Sequence, residues 1–380
     1  MTDIGFNLIF ILFCLGFIIH LLFYFFVYSR FAFSAGSRQD KDLNITAGIA
    51  GRGVSVIICA KNEEVFLEKN LKHVLEQNYP MFEVIVVNDC SSDGTQYVLE
   101  QYSKKYANLR LLHIQEDKVY KHGKKLALTV GIRSAQYEYL VFTDADCKPA
   151  SSNWLNTLMG AFDEDTEIVL GYGAYDRKKS LINYLIRMDT FQIGLQYLSL
   201  AAAGKPYMGV GRNLAYKKSL FLKQKGFAPY SHIPSGDDDL FINKAATRLN
   251  TRIAAGRDSI TISEPKESLK EWIRQKRRHI STSRYYNFGS MLILGVRALG
   301  QYLYFIAFVV LLFTHWWQTV LILAAVRIMI QLFIFGRAMK RLGETDLLLY
   351  SPIIEWFLLF VFYPGVAVSN MLFKRVTWKT

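Results

Sequence analysis

The stretches VSVIICA, Val54 to Ala60, and FEVIVVND, Phe82 to Asp89, decide the fold. Each is a β-branched, aliphatic run of strand length, and each ends in polar residues. Between them Leu67, Leu71, Val74 and Leu75 recur at helical spacing. LRLLHI, Leu109 to Ile114, and YLVFTDAD, Tyr139 to Asp146, repeat the strand pattern, and GKKLALTVGIRSA reads as the helix between them. Strands that alternate with helices imply parallel βαβ units, and near-continuous apolarity implies strands buried on both faces. The expected class is α/β, a Rossmann-like domain over residues 44–289.

Outward from this core the composition changes. The chain has 380 residues, 51% hydrophobic and 14% aromatic, and the apolar residues are clustered. GFNLIFILFCLGFIIHLLFYFFV, Gly5 to Val27, holds no charged residue and is long enough to span a bilayer, which needs about 20 residues. Asp3 without a preceding base argues for an anchor over a cleaved signal peptide. Arg30, Arg38, Lys41 and Arg52 follow this run, which by the positive-inside rule places the polar domain in the cytoplasm. The net charge of +13 follows largely from that bias, so it points to anionic lipid and not to nucleic acid. Cys14, Cys59, Cys90 and Cys147 show no CxxC spacing, which fits a reducing compartment without a disulfide frame or zinc site. After Gly289, MLILGVRALGQYLYFIAFVVLLF and WWQTVLILAAVRIMIQLFIF read as an antiparallel pair turning near Thr314 and His315. The last apolar segment, interrupted by Pro352, Glu355, Pro364 and Gly365 and followed by a basic tail, reads as a re-entrant hairpin or an interfacial segment. The expected organisation is an anchor over residues 1–29, the α/β domain, and membrane or interfacial helices over 290–380, in a bacterial inner membrane.

In an open α/β sheet, ligands sit outside the carboxyl ends of the strands. Neither GxGxxG after the first strand nor GxxxxGK[ST] occurs, which counts against a dinucleotide oxidoreductase and a P-loop ATPase. Asp144 and Asp146, two apart on an extended chain, point to one side and suit Mg2+ or Mn2+, although turns after strands are rich in Asp anyway. Asp237, Asp238 and Asp239 follow Ser235 and Gly236 and precede an apolar helix. One such residue serves as a cap; three exceed that need, and a carboxylate that activates an acceptor hydroxyl is the functional reading. Lys124 and Lys125 open a helix where a phosphate can meet backbone N–H groups, or else form a solvated face. MGVGRNLAYKK, Met208 to Lys218, offers close backbone approach at Gly209 and Gly211 and a polar side chain at Asn213, or an ordinary turn. QKRRH, Gln275 to His279, has no acid among its bases. It reads as a topological stop, a solvated face, or a phosphate clamp with Gln275 and Arg278 at i, i+3.

Taken in order, ICAKNEE, VVNDCSSDGT, HGKKLAL, TDADCKP, GVGRNLAYKK, SGDDDLF and QKRRH resemble the motif series of membrane-bound family 2 glycosyltransferases. The resemblance covers roughly Val54 to Tyr286. It implies an inverting enzyme with the A-type glycosyltransferase fold, a nucleotide-sugar donor (UDP-linked by preference), a divalent Mg2+ or Mn2+ ion, and a lipid or lipid-linked glycan acceptor. Ala60, Glu63 and Asp89 would line the nucleotide pocket, and Lys124, Arg277 and Arg278 would meet the diphosphate. Asp144 would contact nucleotide or metal, and Asp146 would ligate the metal. Gly211, Asn213 and His279 would face the acceptor, Gln275 the nucleotide sugar. Asp237 would be the base, with Asp238 the second candidate, because Gly236 stands where the family has glutamate. His279 stands where polymerising members carry tryptophan, which argues against processive synthesis. The rival readings are a metal-dependent phosphotransferase or phosphohydrolase built on the same carboxylates, and a non-catalytic membrane scaffold with a degenerate nucleotide site.

Overall fold

A computed structural model describes residues 2–34, 51–115, 123–233, 235–280 and 282–372. The expected boundary near Asn44, Arg38 and Lys41, and the basic tail lie outside the described residues. Helix α1 (Thr2–Leu22) opens the chain and continues through a π-type stretch to Ala32. Strands β1 (Val54–Ala60), β2 (Phe82–Asp89), β3 (Leu109–Ile114) and β4 (Tyr139–Phe142) are parallel, in the order β3-β2-β1-β4. Helices α2 (Glu64–Leu75), α3 (Thr95–Lys105) and α4 (Lys124–Ser134) lie between them in sequence.

The apolarity of β1 has a two-sided cause. Ile57 and Cys59 enter one hydrophobic cluster, while Val54, Val56, Ile58 and Ala60 enter another on the opposite face. Leu67, Leu71, Val74 and Leu75 of α2 are buried, as their spacing requires. Gly131 lets α4 approach the sheet closely, since a Cβ there would stand 2.8 Å from Ile57 Cγ2.

The parallel pattern stops at β4, four residues earlier than the sequence suggests. Cys147 N–H donates to Asp144 C=O at 3.0 Å, so Asp144 to Asp146 form a turn and not an extended strand. The chain then enters a small sheet of β5 (Cys147–Pro149), β7 (Gly173–Tyr175) and β10 (Thr261–Ser263). The main sheet is completed by β6 (Ile168–Leu170), β8 (Leu214–Lys217) and β9 (Thr251–Ile253), with β8 antiparallel to both β4 and β6. The segment MGVGRNLAYKK therefore leads into a central strand.

A helix that periodicity does not reveal, α5 (Leu181–Ala202), is buried on most sides. Its apolar residues surround it, so no amphipathic stripe marks it. Helix α6 (Asp239–Ala245) follows the acidic triplet, and α7 (Leu269–Ile280) carries QKRRH. Helices α8 (Phe288–Leu311) and α9 (Trp317–Leu342) form the expected pair with its turn at Thr314 and His315. Gly16 of α1 and Gly300 of α8 face each other's helices so closely that a Cβ would meet Tyr304 N at 2.6 Å or Ile19 Cγ2 at 2.4 Å.

The last apolar segment corrects the hairpin expectation: it is one continuous helical run, Thr345–Leu372, ending in α10 (Tyr363–Leu372). Both of its ends touch the α/β domain. Asp346 accepts from Arg187 of α5 at its start, and Asn370 accepts from Arg277 of α7 at its finish. Together with Gly5–Ala32, Phe288–Leu311 and Trp317–Leu342, this run makes four helices among the described residues that are long and apolar enough to cross a membrane. Inside the bundle Arg327 and Glu355 draw isolated polar residues into one hydrogen-bonded group. Arg327 donates to His20 Nδ1 at 3.0 Å and to Glu355 at 2.8 Å, and Gln301 and Gln331 also donate to Glu355.

Arg187 is 2% exposed and reaches both Glu344 and Asp346. Its replacement by Met would strand the buried Glu344 carboxylate, a loss of about 3 kcal/mol or more. We expect Arg187→Met to lower the thermal unfolding midpoint in detergent by several degrees, whereas Arg177→Met, at an exposed pair with Asp346, leaves it nearly unchanged.

Candidate active site

The carboxyl ends of β1 and β2 are laced together. Asn62, in the left-handed region at φ 54°, accepts from Ser92 N–H at 2.8 Å, and its own N–H donates to Ser91 Oγ at 2.9 Å. Glu63 N–H donates to Thr95 Oγ1 at 2.8 Å, and the Glu64 carboxylate accepts from Gly94 N–H at 2.9 Å. A Cβ on Gly94 would meet Glu64 Oε1 at 2.4 Å, so a larger residue there would displace the Glu64 carboxylate from this contact. The lacing puts Ala60, Glu63 and the fully buried Asp89 at adjoining strand ends.

Beside them lies a cleft lined by Lys124, Asp144, Gly211, Asp237 and Asp238, with Cys59 and Tyr216 at its base. Lys124 Nζ is 2.8 Å from Asp144 Oδ1 and 3.4 Å from Asp237 Oδ2. Burial works against the ammonium charge, but Asp144, Asp237 and Asp238 outweigh it and hold Lys124 well above the usual lysine range. Burial likewise opposes ionisation of Asp144; Lys124, then Arg212 and Arg278, reverse that effect and hold its carboxyl low.

Asp146 has the opposite environment. Burial and the neighbouring Asp144 push it up, against the pull of Lys266 and Arg212. Oxygens of Asp144 and Asp146 and the Cys147 sulfur lie within 4.8 Å of one another. Two crowded carboxylates, one of them with its proton affinity raised by burial and by its neighbour, fit a hard divalent cation, whose charge would relieve that crowding. The thiol does not belong to that donor set: Cys147 is buried, bonded to Ser263 at 2.9 Å, and pushed further towards the neutral form by burial.

The acidic triplet divides its work. Asp238 accepts from Asp239 N–H at 2.8 Å, the cap that its position suggests, and from Gly211 N–H at 2.7 Å. Asp239 is buried and accepts from the Tyr286 and Thr282 hydroxyls. Asp237 faces Lys124 in the cleft. Gly236 has φ +91°, and a Cβ there would lie 2.4 Å from Leu240 Cδ1, so this backbone excludes the glutamate found in the family pattern.

QKRRH fans out around α7. Gln275 donates to Tyr175 OH at 2.9 Å, Arg278 acts on Asp144, and His279 is exposed. Arg277 turns to Asn370, away from its expected place at the diphosphate. Lys276 pairs with the fully buried Asp189 of α5, so the run does have an acid, supplied from far away in sequence. Asn213 is also displaced from its expected role. It is fully buried, accepting from Trp154 Nε1 at 3.1 Å and donating to Tyr172 and Ser259 carbonyls, and so it ties the start of β8 to three neighbouring segments. Arg212 is the residue that sequence reading passed over. It donates to Gly173 C=O at 2.6 Å, stacks 4.4 Å over the Tyr175 ring, and acts on both Asp144 and Asp146. The only sequence signal was a base held between Gly211 and a strand.

Residues 55–223 match the family model described as Glycosyl transferase family 2. The chain carries a family 2 glycosyltransferase domain. The chain is 28% identical over 239 residues to the Bacillus subtilis (strain 168) protein named "Probable glycosyltransferase YdaM", covering 61% of this chain and 55% of that one. It is 33% identical over 94 residues to poly-beta-1,6-N-acetyl-D-glucosamine synthase of Staphylococcus epidermidis, covering 25% and 22%. It thus spans little more than half of one relative and about a fifth of the other. The fold is that of the mannosyltransferase PcManGT from Pyrobaculum calidifontis, solved with GDP-Man and Mn2+: TM-score 0.61 at 20% identity over 97% of this chain and 99% of that one. The A-type glycosyltransferase fold expected from the motifs is therefore present.

Burial and the flanking carboxylates Asp237 and Asp239 push Asp238 up to about 7, against Lys124 and the Gly211 N–H. The folded chain thus holds a proton there that the unfolded chain releases near 3.8, so this group costs the fold stability as pH rises from about 4 to 7. Asp238→Asn, which does not titrate, is expected to flatten that part of the stability profile, measured as unfolding midpoint against pH.

Proposed function

We propose that this protein is a membrane glycosyltransferase. It transfers a sugar from a nucleoside diphosphate sugar, UDP-linked in our reading, to a hydroxyl of a lipid-associated or glycan acceptor, with inversion. The observation that carries this reading is the meeting of Lys124, Asp144, Asp146 and Asp237 at the carboxyl edge of the sheet. In this reading residues 44–289 catalyse, and 1–29 and 290–380 hold the enzyme at an inner membrane with the domain on the cytoplasmic side. The charge pattern supports that side: Arg337, Lys340 and Arg341 end α9, and Arg341 donates to the C=O of Ser34, just past the first apolar helix, at 2.9 Å.

The laced tips of β1 and β2 receive the nucleotide, with Ala60, Glu63 and Asp89 as the pocket wall. Lys124, Arg278 and Arg212 place positive charge where the diphosphate leaves. Asp144 and Asp146 would hold Mg2+ or Mn2+, which supplies Lewis-acid charge against the same leaving group. Asp237 takes the acceptor proton. It is the member of the triplet that faces the cleft lysine, while Asp238 and Asp239 are committed to backbone N–H groups and hydroxyls. Gly211 lies on the acceptor side, where its N–H donates to Asp238 at 2.7 Å. Exposed His279 borders the site from α7.

A screen of UDP-, GDP- and dTDP-sugars for calorimetric binding and nucleotide release, with Mg2+ or Mn2+, tests the reading; no binding or release with any donor rejects it. With the cognate donor, Asp237→Asn is expected to lower kcat by about 10²–10⁴ with donor affinity retained. Asp146→Ala is expected to abolish the response to added metal. Arg278→Ala should cut kcat/KM at least about tenfold, a loss near 1.4 kcal/mol, while Arg277→Ala should mainly lower thermal stability.

A further inference from the structure

The first turn of α4 sends its two lysines to opposite sides. Lys124 enters the carboxylate cluster, whereas Lys125 lines a separate cleft of about 460 Å³. Leu126, Phe221, Leu222 and Phe227 give this cleft apolar walls, and Lys125, Arg133 and Lys225 bring positive charge to it. No acidic residue is among its lining residues. Lys125 and Arg133 lie on one stripe of α4 with Thr129 between them, at i, i+4, i+8. Lys125 Nζ donates to Tyr230 C=O and Ile233 C=O, each at 2.8 Å, and lies 4.8 Å from the Tyr230 ring centre. An ammonium has three donors, so one remains for a ligand.

The opposite wall is shaped by a turn with two consecutive positive φ values, Lys225 at +59° and Gly226 at +56°. A Cβ on Gly226 would stand 2.7 Å from the Phe221 ring, so the turn admits Phe221 and Phe227 edge to face, 5.0 Å between centres. A cavity of this size suits a small ligand, and cations beside apolar walls favour an anion that carries its own apolar part. The cleft also adjoins the transfer site, because the carbonyls that Lys125 holds belong to the segment leading into Asp237.

We propose that this cleft binds a phosphate-bearing amphiphile, its head among Lys125, Arg133 and Lys225 and its first carbons against Phe221 and Phe227. The ligand is either the acceptor itself or an anionic membrane lipid. Binding as such does not depend on the transfer reaction; only the assignment of the source rests on the glycosyltransferase reading.

Full-length protein in neutral detergent is titrated calorimetrically with hexyl phosphate, inorganic phosphate and hexyl glucoside. Hexyl phosphate is expected to bind at least about tenfold more tightly than either control. Arg133→Gln and Lys225→Gly, the latter matched to the positive φ, should each weaken it at least about fivefold, with unfolding midpoint and nucleotide-sugar binding unchanged. Equal binding of hexyl glucoside, or an unchanged Kd in both variants, overturns the proposal whatever the donor screen shows. Turnover in phosphatidylcholine vesicles, with and without phosphatidylglycerol, then separates the sources. A raised acceptor KM in the variants at unchanged donor KM marks the acceptor, and loss of stimulation by phosphatidylglycerol marks the lipid. An effect in neither arm overturns the assignment to this cleft.

Discussion

The placement of the whole site depends on a buried carboxylate in α5. Asp189 is fully buried, paired with Lys276 of α7 and bonded to Tyr363 of α10 at 2.5 Å. A charge so far from water is tolerable only with partners of fixed geometry, so the three helices have little freedom to slide. Trp272 stacking on Phe362 at 3.7 Å adds a large apolar contact to the same junction. Two residues before Asp189, Arg187 joins Glu344 and Asp346. Through these contacts the α/β domain and the apolar helices share one core, in which Ile57 of β1, Phe191 of α5, Phe335 of α9 and Val366 of α10 belong to a single cluster. The position of Gln275 and Arg278 beside the cleft is a consequence of that core.

Within the cleft the governing fact is an excess of negative charge around one lysine. Lys124 is shared by Asp144, which follows β4, and Asp237, which precedes α6, two positions far apart in sequence. The remaining excess appears as raised proton affinity at Asp146 and Asp238. A site of this kind is stabilised by added positive charge, and a divalent ion meets that need on the side of Asp144 and Asp146. The acceptor side, by contrast, is ordered by backbone. The Gly211 N–H ties the loop before β8 to Asp238 at the start of α6, and the positive φ of Gly236 allows the turn into that helix.

Much of this was legible in the residues. The alternating strands and helices from Val54 to Phe142 could be read because each element carries its own period and burial demand. The polar strand ends marked the functional edge for the same reason. Other features left no local signal. Helix α5 is apolar all round, and β5, β6, β7, β9 and β10 are three-residue strands formed by pairing with distant partners. Arg212 looked like one base among many, and Asn213 like a polar group available for substrate.

The sequence by itself determined the βαβ core, the apolar helices, and the carboxylates and bases at the strand ends, because backbone periodicity and burial are written over short windows. Tertiary structure alone decided which of those charges meet. QKRRH shows the division. Its spacing already set Gln275 and Arg278 on one side of a helix, but the split of Lys276 to Asp189, Arg277 to Asn370 and Arg278 towards Asp144 required three separate elements to converge. Long-range electrostatics and close packing depend on distance in space, and distance along the chain does not report it.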